Sequence, residues 1–189
     1  MNSPTHILLG AAVFGRPEQK TINTAAILGA ILPDLSLYAM AGYSLFVVGN
    51  SAGYVFGTQY FSTEWQDVFK LDNSVFVWGF LLAVGIVRAR PWLVAFSGSG
   101  LLHIATDFPL HNDDARQHFW PVSDWVFESP ISYWDAARFG NTVAVLETGL
   151  CVLLMGFLLI RFKSIVSRSI IVICGVPQLA FIAATAFSH

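Results

Sequence analysis

The chain predicts an all-α fold, a polytopic integral membrane helical bundle of short helices with a layer of loops over its outer face. Three observations predict it. Of 189 residues, 55% are hydrophobic and only 12% charged, a balance suited to lipid rather than to water. The apolar residues fall into runs divided by short polar connections. The few basic residues gather in three of those connections, as cytoplasmic loops require. Residues 1–189 read as a single membrane-embedded domain.

The apolar runs cover residues 7–14, 22–32, 35–48, 75–87, 92–102, 143–160 and 170–187. Only the last two approach the ~20 residues that cross a bilayer core squarely. The earlier ones are short because polar groups sit at their ends: His6 before the first, Asp34 after the second, Asn73 and Ser74 before the fourth, His103 and Asp107 after the fifth. The opening segment lacks the basic region of a secretory signal and reads as a retained helix. Pro33, with glycines at 42, 49 and 53, marks 35–48 as a re-entrant or interfacial element that does not cross.

Seven of the ten Lys and Arg are Arg16 and Lys20, Arg88 and Arg90, and Arg161, Lys163 and Arg168. With these connections in the cytoplasm, the first helix descends from His6, the second rises to Asp34, another descends from Asn73 and the next rises to Asp107. The polar candidates then share the outer side. So do two loops, 49–72 and 108–140, which hold most of the acid and many aromatics, among them Trp65, Trp120, Trp125 and Trp134. Such density fits either an interfacial anchor or the rim of a lipid-binding site.

Residues 102–121, LHIATDFPLHNDDARQHFWP, concentrate three histidines and three aspartates in an otherwise apolar chain. His103 and Asp107 lie one helical turn apart on one face, Pro109 stops the helix, and His111, Asp113, Asp114 and His118 follow. In water this would read as a hydrogen-bonded pair and a solvated loop. On a membrane-like helix, ionisable groups are costly and usually functional, so the pattern points to a divalent metal held by imidazole and carboxylate: zinc, manganese or iron. Cys151 and Cys174 lack metal-ligand spacing and read as packing residues. A net charge of −2 without a basic stripe argues against a nucleic-acid surface. There is no phosphate-binding loop, GxGxxG or GxSxG.

Pro4-Thr5-His6 with Gly10, the run Gly29-Ala30-Ile31-Leu32-Pro33-Asp34, and His103-xxx-Asp107 followed by Pro109-Leu110-His111 resemble the LexA-regulated, membrane-bound, metal-dependent hydrolases of bacterial inner membranes. That family is distantly similar to zinc-dependent phospholipase C and the fungal single-strand nucleases. The resemblance implies metal-ligand roles for His6, Asp34, His103, Asp107 and His111, and for Asp135 in Tyr133-Trp134-Asp135. It departs at Asn73, which stands where the family commonly has a histidine. Either one metal of a multinuclear cluster is then missing, with Asn73 a weaker ligand, or His111 or His118 substitutes.

The expected activity is hydrolysis of a phosphoester or related bond in a lipid or lipid-linked substrate at the outer membrane face. A divalent ion, Zn2+ or Mn2+, would serve it, with Asp34 and Asp107 as catalytic carboxylates, His118 as proton donor to the leaving group and Arg116 on the substrate's negative charge. Two other classes remain. One is an ion or metal transporter using Asp34, Glu147 and His103; the other is a non-catalytic protein that a metal stabilises. Glu147 reads as an acceptor for a ligating histidine or as a helix-pairing residue, and His189 as a frayed tail.

Overall fold

The computed structural model describes the backbone of residues 1–186 and the side chains of residues 1–178, so His189 lies outside the described residues. Among these the fold is helical, without strands. The helices are α1 (Ser3–Phe14), α2 (Lys20–Gly42), α3 (Ala52–Tyr54), α4 (Thr63–Asp72), α5 (Val75–Val87), α6 (Pro91–Asp107), α7 (Gly140–Arg161) and α8 (Ile165–Ala186). Wider π turns extend α2 over Tyr43–Val48 and follow α3 over Val55–Gln59; a 3-10 turn at Ala136–Arg138 precedes α7.

The ends of these helices have local causes. Proline stands in the first turn of α1 and α6, where a missing N–H costs nothing. Ser62 and Ser74 accept from the backbone N–H of Trp65 and Val77 and so cap α4 and α5. Arg161 in the last turn of α7 donates to the carbonyls of Ala12 and Gly15, fastening the end of α1 to the end of α7.

Two helices lie inside the bundle. α6 packs against α2, α5 and α1, while α1 also packs against α7 and α8. Small residues permit this closeness. A Cβ on Gly29 would come within 1.9 Å of the Phe96 carbonyl oxygen, and one on Gly100 within 2.2 Å of the Trp78 ring. Outward faces are apolar instead: Phe46, Phe80, Val87, Leu153 and Ile160 are all exposed. Three helical stretches among the described residues, Lys20–Val48, Thr63–Val87 and Gly140–Arg161, are long and apolar enough to cross a membrane; Ser3–Phe14 and Ile165–Gln178 are apolar but shorter. In the second of these the apolar part is α5, since α4 carries Glu64, Asp67, Lys70 and Asp72.

The segment 35–48 is not a separate element. α2 runs through Pro33 and Asp34 without interruption and continues as a π turn to Val48. Proline forfeits only its own bond to residue 29, and contacts to α6 on both sides of it, Gly29 against Phe96 and Asp34 near His103, hold the helix together. One continuous helical stretch, Lys20–Val48, therefore stands where a crossing helix and a separate, non-crossing element were expected. The segments 49–72 and 108–140, read as loops, carry helical turns of their own. α4 packs on α2 and buries Phe69, and the 108–139 segment is tied down by backbone bonds from Val75 to His118, Ser129 to His111 and Tyr133 to Leu110.

The chain direction follows the expected alternation. Arg16, Arg90 and Arg161 surround one cleft at one end of the bundle, together with Gly15 and Ala89. At the other end Met1, Asp34, Asp107 and His111 line one cavity.

Candidate metal centre

α6 supplies His103 and Asp107, one turn apart at its C-terminal end, and α1 supplies His6. All three are buried. The two imidazoles stack, with ring centroids 3.7 Å apart and planes inclined by 15°. One ligand atom from each of His6, His103 and Asp107 lies within 4.8 Å of the others.

Hydrogen bonding fixes which ring nitrogens face inward. His103 Nδ1 lies 2.7 Å from the carbonyl oxygen of Ala30 on α2, which can only accept, so Nδ1 carries the hydrogen. His6 Nδ1 lies 3.4 Å from Thr106 Oγ1, whose own hydrogen goes back to the carbonyl of Leu102 or His103. The hydroxyl therefore accepts from His6. In both rings Nε2 is left with a lone pair, and neither Nε2 has a hydrogen-bond partner. Yet His6 Nε2 is 2.9 Å from Asp107 Oδ1, and His103 Nε2 is 3.3 Å from Asp107 Oδ2. Lone pairs set against a carboxylate repel unless a cation lies among them. A proton on one ring relieves one contact; a divalent ion relieves them all. Carbonyl and hydroxyl acceptors behind the distal nitrogens are the usual support of metal-bound histidine.

Asp34 Oδ1 stands 3.7 Å from His103 Nε2, while Oδ2 accepts from Ser3 Oγ at 2.9 Å and faces the Tyr38 hydroxyl at 3.5 Å. Ser3 and Tyr38 also hydrogen-bond each other. Asp107 Oδ1 lies 2.7 Å from the Met1 amine. These groups border a cavity of about 540 Å³ that also takes in His111, Asp114, Arg116 and Tyr133, with exposed Phe56, Phe61 and Trp134 at its edge.

His111 is brought close but differently from expectation. Nε2 is 3.2 Å from Asp107 Oδ2 and Nδ1 is 2.8 Å from Asp114 Oδ2. Burial opposes its charged form, but the two carboxylates outweigh it and raise its pKa. With both nitrogens on carboxylates, His111 serves as a cationic bridge rather than as a third imidazole lone pair. Asp114 is correspondingly lowered: its own burial works against ionisation, and the bond and charge of His111 prevail.

Three further residues are not gathered into the group. Asn73 Nδ2 donates to the carbonyls of Pro33 and Phe69, so this amide splices the end of α4 to α2. His118 Nδ1 lies 3.0 Å from the Asn73 carbonyl, and burial pushes the ring down to about 4, with the charge of Arg116 adding to the effect. It is a neutral packing histidine, poorly suited to donating a proton near neutral pH. Asp135 caps the 3-10 turn by accepting from Ala137 N–H, and pairs with Arg138 at 3.6 Å. Glu147, buried on α7, accepts from Asn2 N–H and Thr5 Oγ1 at 2.8 Å each. It holds the positive end of α1 rather than a histidine.

Ser3, Tyr38, Tyr60 and Tyr133 were not expected at the site. Tyr38 had a signal, standing four residues beyond Asp34 on the same helical face. No family model, curated protein or solved structure matches this chain.

Proposed function

We propose that this chain is a membrane-embedded, divalent-metal-dependent hydrolase acting on a phosphoester or related bond of a lipid or lipid-linked substrate, at the non-cytoplasmic face of a bacterial inner membrane. The observation that carries this reading is the pair of stacked imidazoles with outward Nδ1–H bonds and inward, unpartnered Nε2 atoms, converging on Asp107 at the wall of a cavity. Two nitrogens and one carboxylate suit zinc or manganese, and three protein ligands leave a position open for water or substrate, as catalytic sites do. The residues by which the sequence resembles the LexA-regulated hydrolases include the same His6, His103 and Asp107.

His6, His103 and Asp107 hold the ion. A bound divalent cation would supply charge to polarise a phosphoryl oxygen and to lower the pKa of water toward 7. Asp34, steadied by Ser3 and Tyr38, is the carboxylate free to orient that water and take its proton. Aromatic side chains at the cavity edge suit a substrate that arrives from lipid. Conduction is the weaker alternative, because Leu8, Cys151, Leu158 and Phe162 form an apolar cluster toward the basic end and offer an ion no charged station there.

The test is hydrolysis of short-chain phospholipids by the full-length protein with Zn2+ or Mn2+. Asp34→Asn is expected to lower turnover by about a hundredfold or more while retaining metal, the scale of losing a general base. Turnover indifferent to His103→Ala would refute the reading.

A further inference from the structure

Arg116 is an uncommon residue for its surroundings. It sits in the 108–139 loop layer, 5% exposed, and borders the cavity that holds Asp34 and Asp107. Its guanidinium lies 4.5 Å above the Phe69 ring and 5.9 Å from the Tyr60 ring. Among the described residues, Nη1 is buried without any hydrogen-bond acceptor. The neighbouring carboxylate, Asp114, is bonded to His111 through Oδ2, and its Oδ1, though buried and unpartnered, makes no hydrogen bond to Arg116. The Tyr60 hydroxyl is engaged with the Asp114 carbonyl. A buried charge that lacks a bonded counterion is costly to hold. Here it is held in place by two aromatic faces and aimed at a cavity.

We propose that Arg116 is the anion-reading residue of this cavity, and that it takes a phosphate group bound between its guanidinium and the cation at His6, His103 and Asp107. This rests on the metal-centre reading and adds the residue that holds the phosphate. Guanidinium donors match the oxygens of a phosphate two at a time, which a lysine cannot do. The carboxylates of the cavity, Asp34, Asp107, Asp113 and Asp114, would repel an anion that had only Arg116 to meet it. The ion opposite supplies the second positive charge, so the site selects a group able to bridge both. A phosphate can come from a lipid headgroup or from solution, and Phe56, Phe61 and Trp134 at the edge favour the former.

The experiment is calorimetric titration of the Mn2+-loaded, full-length protein with inorganic phosphate and, separately, with dihexanoyl phosphatidic acid. Arg116→Gln is expected to weaken both by about tenfold or more, the loss of a charge-assisted bond, and to leave Mn2+ affinity unchanged. Arg116→Lys should recover only part. Tighter binding of the phosphatidic acid identifies the lipid source; equal binding identifies free phosphate. Equal phosphate affinity in wild type and Arg116→Gln overturns the proposal. If the wild type takes up no Mn2+, the metal-centre reading fails and this proposal with it, whereas Mn2+ uptake with no phosphate binding overturns this proposal alone. Should Arg116→Gln not fold, phenylglyoxal labelling of the wild type decides it: protection of Arg116 by phosphate supports the site, and unchanged labelling overturns it.

Discussion

The four histidines that the structure describes divide among three tasks, set by what stands behind each ring. His6 and His103 give their Nδ1 hydrogens to acceptors and keep Nε2 for the centre; His111 spans two carboxylates; His118 gives Nδ1 to a carbonyl and is buried in neutral form. The last assignment has a pH signature. His118 titrates near 4 in the folded chain, against about 6.5 unfolded, so the folded state binds its proton less readily. Its contribution is complete above about 6.5 and is lost as pH falls toward 4, by about 3 kcal/mol in all. Thermal unfolding should show this as a steeper acid decline in wild type than in His118→Gln. Identical slopes between pH 6.5 and 4 would contradict the buried neutral ring.

α2 and α6 decide whether the centre forms. His103 reaches Ala30 of α2, and Asp34 of α2 reaches back toward His103, so the two helices must sit at one fixed separation. Gly29 sets it, since even a methyl group there meets the Phe96 backbone. Gly29→Ala should cost about 1–3 kcal/mol or more and weaken metal binding, whereas Gly149→Ala, with open space around it, should be neutral or slightly stabilising. Thermal midpoints and metal affinities of the two variants, measured side by side, check this; equal effects would remove Gly29 from its role. The helices themselves, and the meeting of His6 with the His103 turn, were legible from apolar runs and the placement of polar residues at their ends. Pro33 misled the reading of 35–48, because a proline within a helix packed on both sides is tolerated and sequence does not display the packing. Asn73, His118 and Asp135 misled for a related reason. Their residue types suit a metal, but each is consumed by a nearby backbone group, a partner that residue type alone does not reveal.

For the whole molecule, depth matters. At 1.5 Å per residue, Asp34 lies about 21 Å along α2 from Lys20, and His103 about 20 Å along α6 from Arg90. Were the basic end set at one boundary of a core about 30 Å thick, as the proposed function has it, the centre would sit roughly 10 Å beneath the other, below the loop layer. Single cysteines placed at Arg90 and at Ser123, in a chain lacking Cys151 and Cys174, should react with an impermeant thiol reagent from opposite sides of sealed vesicles. Labelling from the same side would overturn the orientation. The proposed function depends on the ion. Zinc-edge X-ray absorption of the metal-loaded, full-length protein is its most direct test: the prediction is tightly bound zinc whose first shell contains two imidazole nitrogens and carboxylate oxygen, with binding lost in His6→Ala and in His103→Ala. Zinc that binds equally to wild type and both variants, or a shell without imidazole, would contradict it.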